Sequence, residues 1–143
     1  MKVRKEWEVR QVNQEKDKLI GIRKILEKGW SKKTAFGEYH KTKSEGQCYV
    51  TARTLNYIFG WEILFNGRDG CNHYWNRLPN GVEIDFTSDQ MGANGIYPVE
   101  EMRGMGKPRK FKPIDQCKSL NPRLALYLKI VKADLLKFKD KVI

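Results

Sequence analysis

Cys48, His73 and Asp85 are the residues of this chain whose types and order suit nucleophilic chemistry. The stretch that holds them opens S-E-G-Q-C-Y-V-T-A at Ser44 and closes H-Y-W-N-R-L-P-N-G-V-E-I-D-F-T at Thr87. A cysteine thus follows a glycine turn, a histidine enters a strand, and an aspartate sits on the next strand. A thiol attacks a carbonyl as thiolate, and both a helix N-terminus and a nearby imidazolium favour that form. His73 would take the thiol proton and later deliver it to the leaving group, while Asp85 would hold the imidazole tautomer and stabilise the imidazolium. The backbone N–H of Cys48 and the side chain of Gln47 are the candidate oxyanion donors, and Trp75 and Gln90 would line or frame the site.

Each residue also has a plainer reading. A lone cysteine is usually a small buried hydrophobe, a strand histidine is more often packed than catalytic, and Asp85 would serve equally to pair a lysine. The conjunction favours chemistry: the chain holds 2 histidines, and one of them lies on a hairpin strand facing an aspartate. Cys71 is the competing thiol, placed in a loop with no helix behind it. Asn76 is the competing orienter, although strand alternation puts it on the other face.

The elements that must position these groups follow from periodicity and punctuation. Val12, Leu19, Ile22, Ile25 and Leu26 recur at helical spacing over residues 7–28, and Gly29 suits a helix stop. Trp30, Phe36 and Tyr39 read as core or pocket lining, with a short turn or helix begun by Ser31 or Thr34. Cys48, Ala52, Leu55 and Phe59 fall on one helical face and Gly60 ends that helix, although Tyr49, Val50 and Thr51 are strand formers. Residues 61–66 form a strand candidate and G-R-D-G-C-N a loop. Pro79-Asn80-Gly81 then turns a hairpin between His73–Leu78 and Val82–Thr87. If Leu78 pairs with Val82, His73 and Asp85 become same-face diagonal neighbours with Cβ atoms within ~7–8 Å, and a one-residue slip would separate them. Asn121-Pro122 opens a helix carrying Leu124, Tyr127, Leu128, Val131, Leu135 and Phe138 along one stripe.

With 143 residues, a single domain is expected: a core over 20–90, a basic connector over 103–118 and a C-terminal helix over 121–140. A hydrophobic fraction of 40% and 11% aromatics exclude a disordered chain. The start M-K-V-R-K-E-W lacks the apolar region of a signal peptide, and no run approaches the ~18 apolar residues of a membrane span. The expected location is cytoplasmic, with Cys48, Cys71 and Cys117 as free thiols. The net charge of +11 would attract an acidic protein, nucleic acid or anionic substrate, or would simply keep a lysine-rich surface solvated. No nucleic-acid motif is present. Cys71-x-His73 is the nearest approach to metal spacing, with His40 and the other cysteines far off in sequence, so neither metal nor cofactor is expected.

The segment resembles the core of papain-like and transglutaminase-like thiol enzymes, in which a cysteine opens a helix and an H-x-W strand precedes a D-x-T strand. Here those residues are His73-Tyr74-Trp75 and Asp85-Phe86-Thr87. The chain also resembles the bacterial and phage YunG-like family through Trp30-Ser31 with Thr34, Gly46-Gln47-Cys48 with Val50-Thr51-Ala52, His73 through Leu78 with Gly81, and Asp85 with Thr87 and Gln90. The resemblance runs over residues 20–90 and, more loosely, the C-terminal helix; the basic stretch after Gln90 departs from it.

The expected fold is therefore α+β, of the papain-like or transglutaminase-like thiol type, with a cysteine-bearing helix on a small antiparallel sheet and a closing C-terminal helix. The expected function is cysteine-dependent acyl transfer on an amide, isopeptide or ester. The alternative is a non-catalytic binding module on the same fold, such as a phage-type inhibitor, whose charge recruits an acidic partner.

Overall fold

The computed structural model describes residues 6–36, 43–68 and 71–142. Tyr39 and His40, weighed above, lie outside the described residues. The architecture is α+β: three helices and one small antiparallel sheet. Helix α1 spans Glu6–Gly29, α2 Cys48–Phe59 and α3 Pro122–Val142. Strands β1 (Glu62–Arg68), β2 (Cys71–Arg77), β3 (Glu83–Ile84) and β4 (Lys107–Pro108) are ordered β3-β2-β1-β4 across the sheet.

The apolar stripes read from the sequence meet in one core. Leu19, Ile22 and Leu26 of α1 pack with Leu124, Tyr127, Leu128, Val131 and Leu135 of α3, and with Val50, Leu55, Ile58 and Phe59 of α2. Helix α3 contacts both other helices, and α2 also lies on the β1–β2 pair. In α2, strand-forming Tyr49, Val50 and Thr51 yield to this packing, because propensities of a few tenths of a kcal/mol are small beside the ~1.5–3 kcal/mol from burying each large side chain. Gly60 closes the helix in the left-handed region, φ 75°, with its N–H on the Asn56 carbonyl.

The hairpin register is the one in which Leu78 faces Val82: the Leu78 N–H donates to the Val82 carbonyl at 2.8 Å, and Asn76 pairs with Ile84. Three local differences from the sequence reading stand out. The expected loop at residues 67–72 is largely ladder, since β1 and β2 pair from Glu62↔Arg77 out to Arg68↔Cys71; strand pairing overrides the glycine signal there. Cys71 consequently begins β2 rather than lying in a loop.

The second difference is that β3 stops at Ile84, so Asp85–Thr87 is not strand. The Asp85 N–H goes to the Ile96 carbonyl at 2.8 Å, and the Asp85 carboxylate accepts the Thr87 N–H at 3.1 Å. This local side-chain turn ends the ladder. Third, the basic connector contributes β4, where Pro108 is tolerated because it sits on an edge strand. The connector is also pinned by ring contacts: Arg53 lies 4.5 Å and Arg109 5.0 Å from the Phe111 ring centre.

Gly29 at the end of α1 lies close against α3. A Cβ added there would lie 2.6 Å from the Tyr127 ring, closer than the atoms allow. Gly29→Ala should therefore cost about 1–3 kcal/mol through overpacking, despite the better helix propensity of alanine. Urea unfolding measures this; unchanged stability would mean that α1 and α3 are not packed this way.

Candidate active site

Cys48 is the first residue of α2, placed there by a turn that only a flexible residue makes easily. Gly46 sits at φ 76°, and Gln47 follows as the residue that caps the helix. The Cys48 N–H occupies a position that has no carbonyl partner within a helix. Cys48 is half-buried and a free thiol.

The Gln47 side chain does not face this opening. It is 1% exposed; its Nε2 donates to the Ser31 carbonyl at 2.9 Å, and its Oε1 accepts from the Thr34 hydroxyl at 3.0 Å. The expected oxyanion role for that side chain is therefore replaced by a structural one: Gln47 ties the cysteine turn to the turn after α1. Asn76 likewise has an internal partner, donating to the Ala52 carbonyl at 3.1 Å and so joining β2 to α2.

His73 and Asp85 are in direct contact. His73 Nε2 lies 2.6 Å from Asp85 Oδ2, with the histidine 8% and the aspartate 2% exposed. The other carboxylate oxygen, Oδ1, accepts the Thr87 hydroxyl at 3.0 Å as well as the Thr87 N–H. With Nε2 engaged, Nδ1 is the ring nitrogen left toward Gln90 and the cleft that Cys48 also lines. Trp75 stacks on the His73 ring at 5.7 Å between centres, and its indole N–H donates to Glu83 at 2.8 Å.

Gln90 joins the two halves. Its Nε2 lies 3.2 Å from His73 Nδ1 and 3.3 Å from Thr87 Oγ1, while its Oε1 accepts the Gly46 N–H at 3.4 Å. In the neutral ring, with Nε2–H donating to Asp85, Nδ1 accepts from the Gln90 amide. In the imidazolium, Nδ1–H is a donor available to the cysteine sulfur.

Burial is the largest single influence on His73 and lowers its pKa. The hydrogen bond to the Asp85 carboxylate and its negative charge, with a smaller influence from nearby Cys48, outweigh it and push His73 up to about 10. The balance favours the protonated ring. Removing one partner of such a pair leaves an uncompensated buried group, at a cost of ~3–5 kcal/mol.

Arg23, Asp89 and Ser44 hold these parts together and escaped the sequence reading. Arg23 donates to the carbonyls of Phe86 at 3.1 Å and Gly95 at 2.8 Å, and pairs with Asp89 at 2.8 Å and Glu27 at 2.9 Å. Asp89 in turn accepts the Ser44 hydroxyl. Helix α1 thereby fixes both the turn bearing Gln90 and the turn before Cys48. One signal was available: Arg23 lies between Ile22 and Leu26 and one helical turn from Leu19, and a charge inside an apolar stripe requires a buried partner.

Cys48, His73 and Gln90 open onto a cleft of about 950 Å³ whose walls include Tyr49, Tyr74 and Arg123. This is within the usual size range of small-ligand sites. Among the described residues, no group of three His, Cys, Asp or Glu side chains is placed to hold a metal ion.

The family model described as YunG protein matches residues 18–125, a span that contains every element of this site. The chain belongs to the YunG family. A relative, the uncharacterized protein YunG of Bacillus subtilis (strain 168), is 36% identical over 79 residues. That alignment covers 55% of this chain and 64% of the relative, so the chain spans somewhat less than two thirds of the relative's length. No solved structure matches the chain. Among the described residues of this YunG-family protein, no helix is long and apolar enough to cross a membrane.

The His73 charge makes stability depend on pH in a definite direction. A pKa raised from 6.5 in the unfolded chain to about 10 in the folded one gives a contribution that is full below about 6.5 and is lost as pH rises through about 10. Urea unfolding of wild type should weaken progressively across that window. His73→Gln, which keeps a donor for Asp85, should lack that part of the slope; parallel profiles for the two proteins would refute the charged ring.

Proposed function

We propose that this YunG-family protein is a cysteine-dependent acyl-transfer enzyme with a papain-like or transglutaminase-like arrangement of Cys48, His73 and Asp85. The observation that carries the reading is the His73 ring, held at Nε2 by a buried carboxylate and lining the same cleft as a half-buried thiol that begins a helix.

The Cys48 thiolate attacks the carbonyl carbon of an amide, isopeptide or ester, and the carbonyl π electrons move onto oxygen. The Cys48 N–H, at the start of α2, stabilises that oxyanion. On collapse, the bond to the leaving group breaks, His73 gives its Nδ1 proton to the departing nitrogen or oxygen, and a Cys48 thioester remains. Water or an amine then attacks the thioester while neutral His73 removes its proton. The thiolate leaves and the imidazolium is restored. Hydrolysis, deamidation and transamidation share this path and differ in the first leaving group and the second nucleophile. Asp85 holds the ring and its charge throughout, Trp75 supports one face, and Gln90 links the ring to the cysteine turn. Chemistry of this kind needs a reduced thiol, which fits a cytoplasmic setting.

The competing reading is a binding module that recruits an acidic protein or nucleic acid. It is favoured by Lys107, Lys110 and Lys112, which stand exposed along the connector. Alkylation by iodoacetamide, followed residue by residue with mass spectrometry from pH 5 to 9, separates the two. Cys48 should react at pH 7 roughly tenfold or more faster in wild type than in His73→Ala, with Asp85→Ala intermediate and Cys117 indifferent to both changes. An inert Cys48 beside a normally reactive Cys117 would sink the acyl-transfer reading and leave the binding module.

A further inference from the structure

The cleft carries a guanidinium that the Cys48–His73–Asp85 chemistry does not use. Arg123 lies in the first turn of α3 and lines the same cavity as Cys48 and His73. Among the described residues, its guanidinium makes one hydrogen bond, a long one from Nη1 to the Ala35 carbonyl at 3.5 Å. The guanidinium carbon lies 5.0 Å from the centre of the Phe36 ring, which orients the group without neutralising it. Phe36 is 65% exposed and also lines the cleft.

Four other arginines have partners or rings against them. Arg23 is paired with Glu27 and Asp89, and Arg77 with Glu62. Arg53 and Arg109 lie over the rings that fasten the connector. Arg123 forms no ion pair within 4.0 Å among the described residues, yet it stands where a substrate would lie. The α3 end itself is satisfied, because Asn121 Oδ1 accepts the N–H groups of Arg123 at 2.9 Å and Leu124 at 3.4 Å. Glu45, on the same cleft wall, has interactions of its own.

Resting on the acyl-transfer reading, we infer that Arg123 is a specificity residue selecting acyl donors that carry a carboxylate near the reacting carbonyl. A planar guanidinium with free N–H groups matches a carboxylate in charge and in fork geometry, and the aromatic support at Phe36 limits the freedom lost on binding. The reacting carbonyl would lie at Cys48 and the carboxylate would extend along the cleft toward α3. A neutral acyl group of the same size would forgo this contact and leave the guanidinium unmatched.

Iodoacetate and iodoacetamide test this directly, because they deliver the same alkylation with and without a carboxylate. Their rates at Cys48 would be measured by mass spectrometry at low ionic strength in wild type, Arg123→Gln and Arg123→Lys, with Cys117 as the internal reference. The iodoacetate-to-iodoacetamide ratio at Cys48 should fall roughly three- to tenfold in Arg123→Gln. It should be largely kept in Arg123→Lys, and the iodoacetamide rate and the Cys117 ratio should stay constant. An unchanged ratio in Arg123→Gln, with Cys48 still reactive, would overturn the role of Arg123 alone. A Cys48 inert to both reagents in wild type would overturn the acyl-transfer reading and this inference with it.

Discussion

The 2.6 Å contact between His73 and Asp85 is the constraint to which the surrounding structure conforms. A carboxylate that is 2% exposed must have its oxygens satisfied, and here each has a separate partner. Oδ2 takes the imidazole, while Oδ1 takes the N–H and hydroxyl of Thr87. The second set of bonds pulls the chain out of the sheet after Ile84, which explains the two-residue strand β3. It also begins the turn that delivers Gln90 to the ring and to Gly46. One buried charge thus dictates where the hairpin ends and how the cysteine turn approaches it.

The scaffold around this pair is fixed by a second, partly buried charge. Arg23 reaches from α1 to two backbone carbonyls and to Asp89, which holds Ser44. Loops near a reactive group usually move, since their backbone polar groups look to water. These loops instead direct their hydrogen bonds to a guanidinium anchored in a long helix. The same economy shows in the connector, where Arg53 and Arg109 lie against Phe111, Tyr49, Tyr74 and Phe65. Part of the high positive charge of the chain is therefore structural, and part, including Lys107, Lys110 and Lys112, stands in solvent. Net charge alone could not separate these portions, because it carries no information about which cations lie on rings.

What the sequence by itself determined is what short-range patterns encode. Leu19, Ile22 and Leu26 of α1, Leu55 and Phe59 of α2, and Leu124, Tyr127, Leu128, Val131 and Leu135 of α3 lie in the core as their spacing suggests. Gly60 ends α2 as a left-handed cap. The turn at Pro79-Asn80-Gly81 sets the pairing of Leu78 with Val82, and that register brings His73 and Asp85 together, because side chains alternate with a period of two. What only the tertiary structure decided depends on residues far apart in the chain. The Gln47 amide turns inward to Ser31 and Thr34, Arg23 meets Asp89 across the core, the connector supplies an edge strand, and Arg123 comes to the same cleft as Cys48. No local spacing specifies these contacts. Each is set by which buried polar group, once the helices and sheet have closed, still requires a partner.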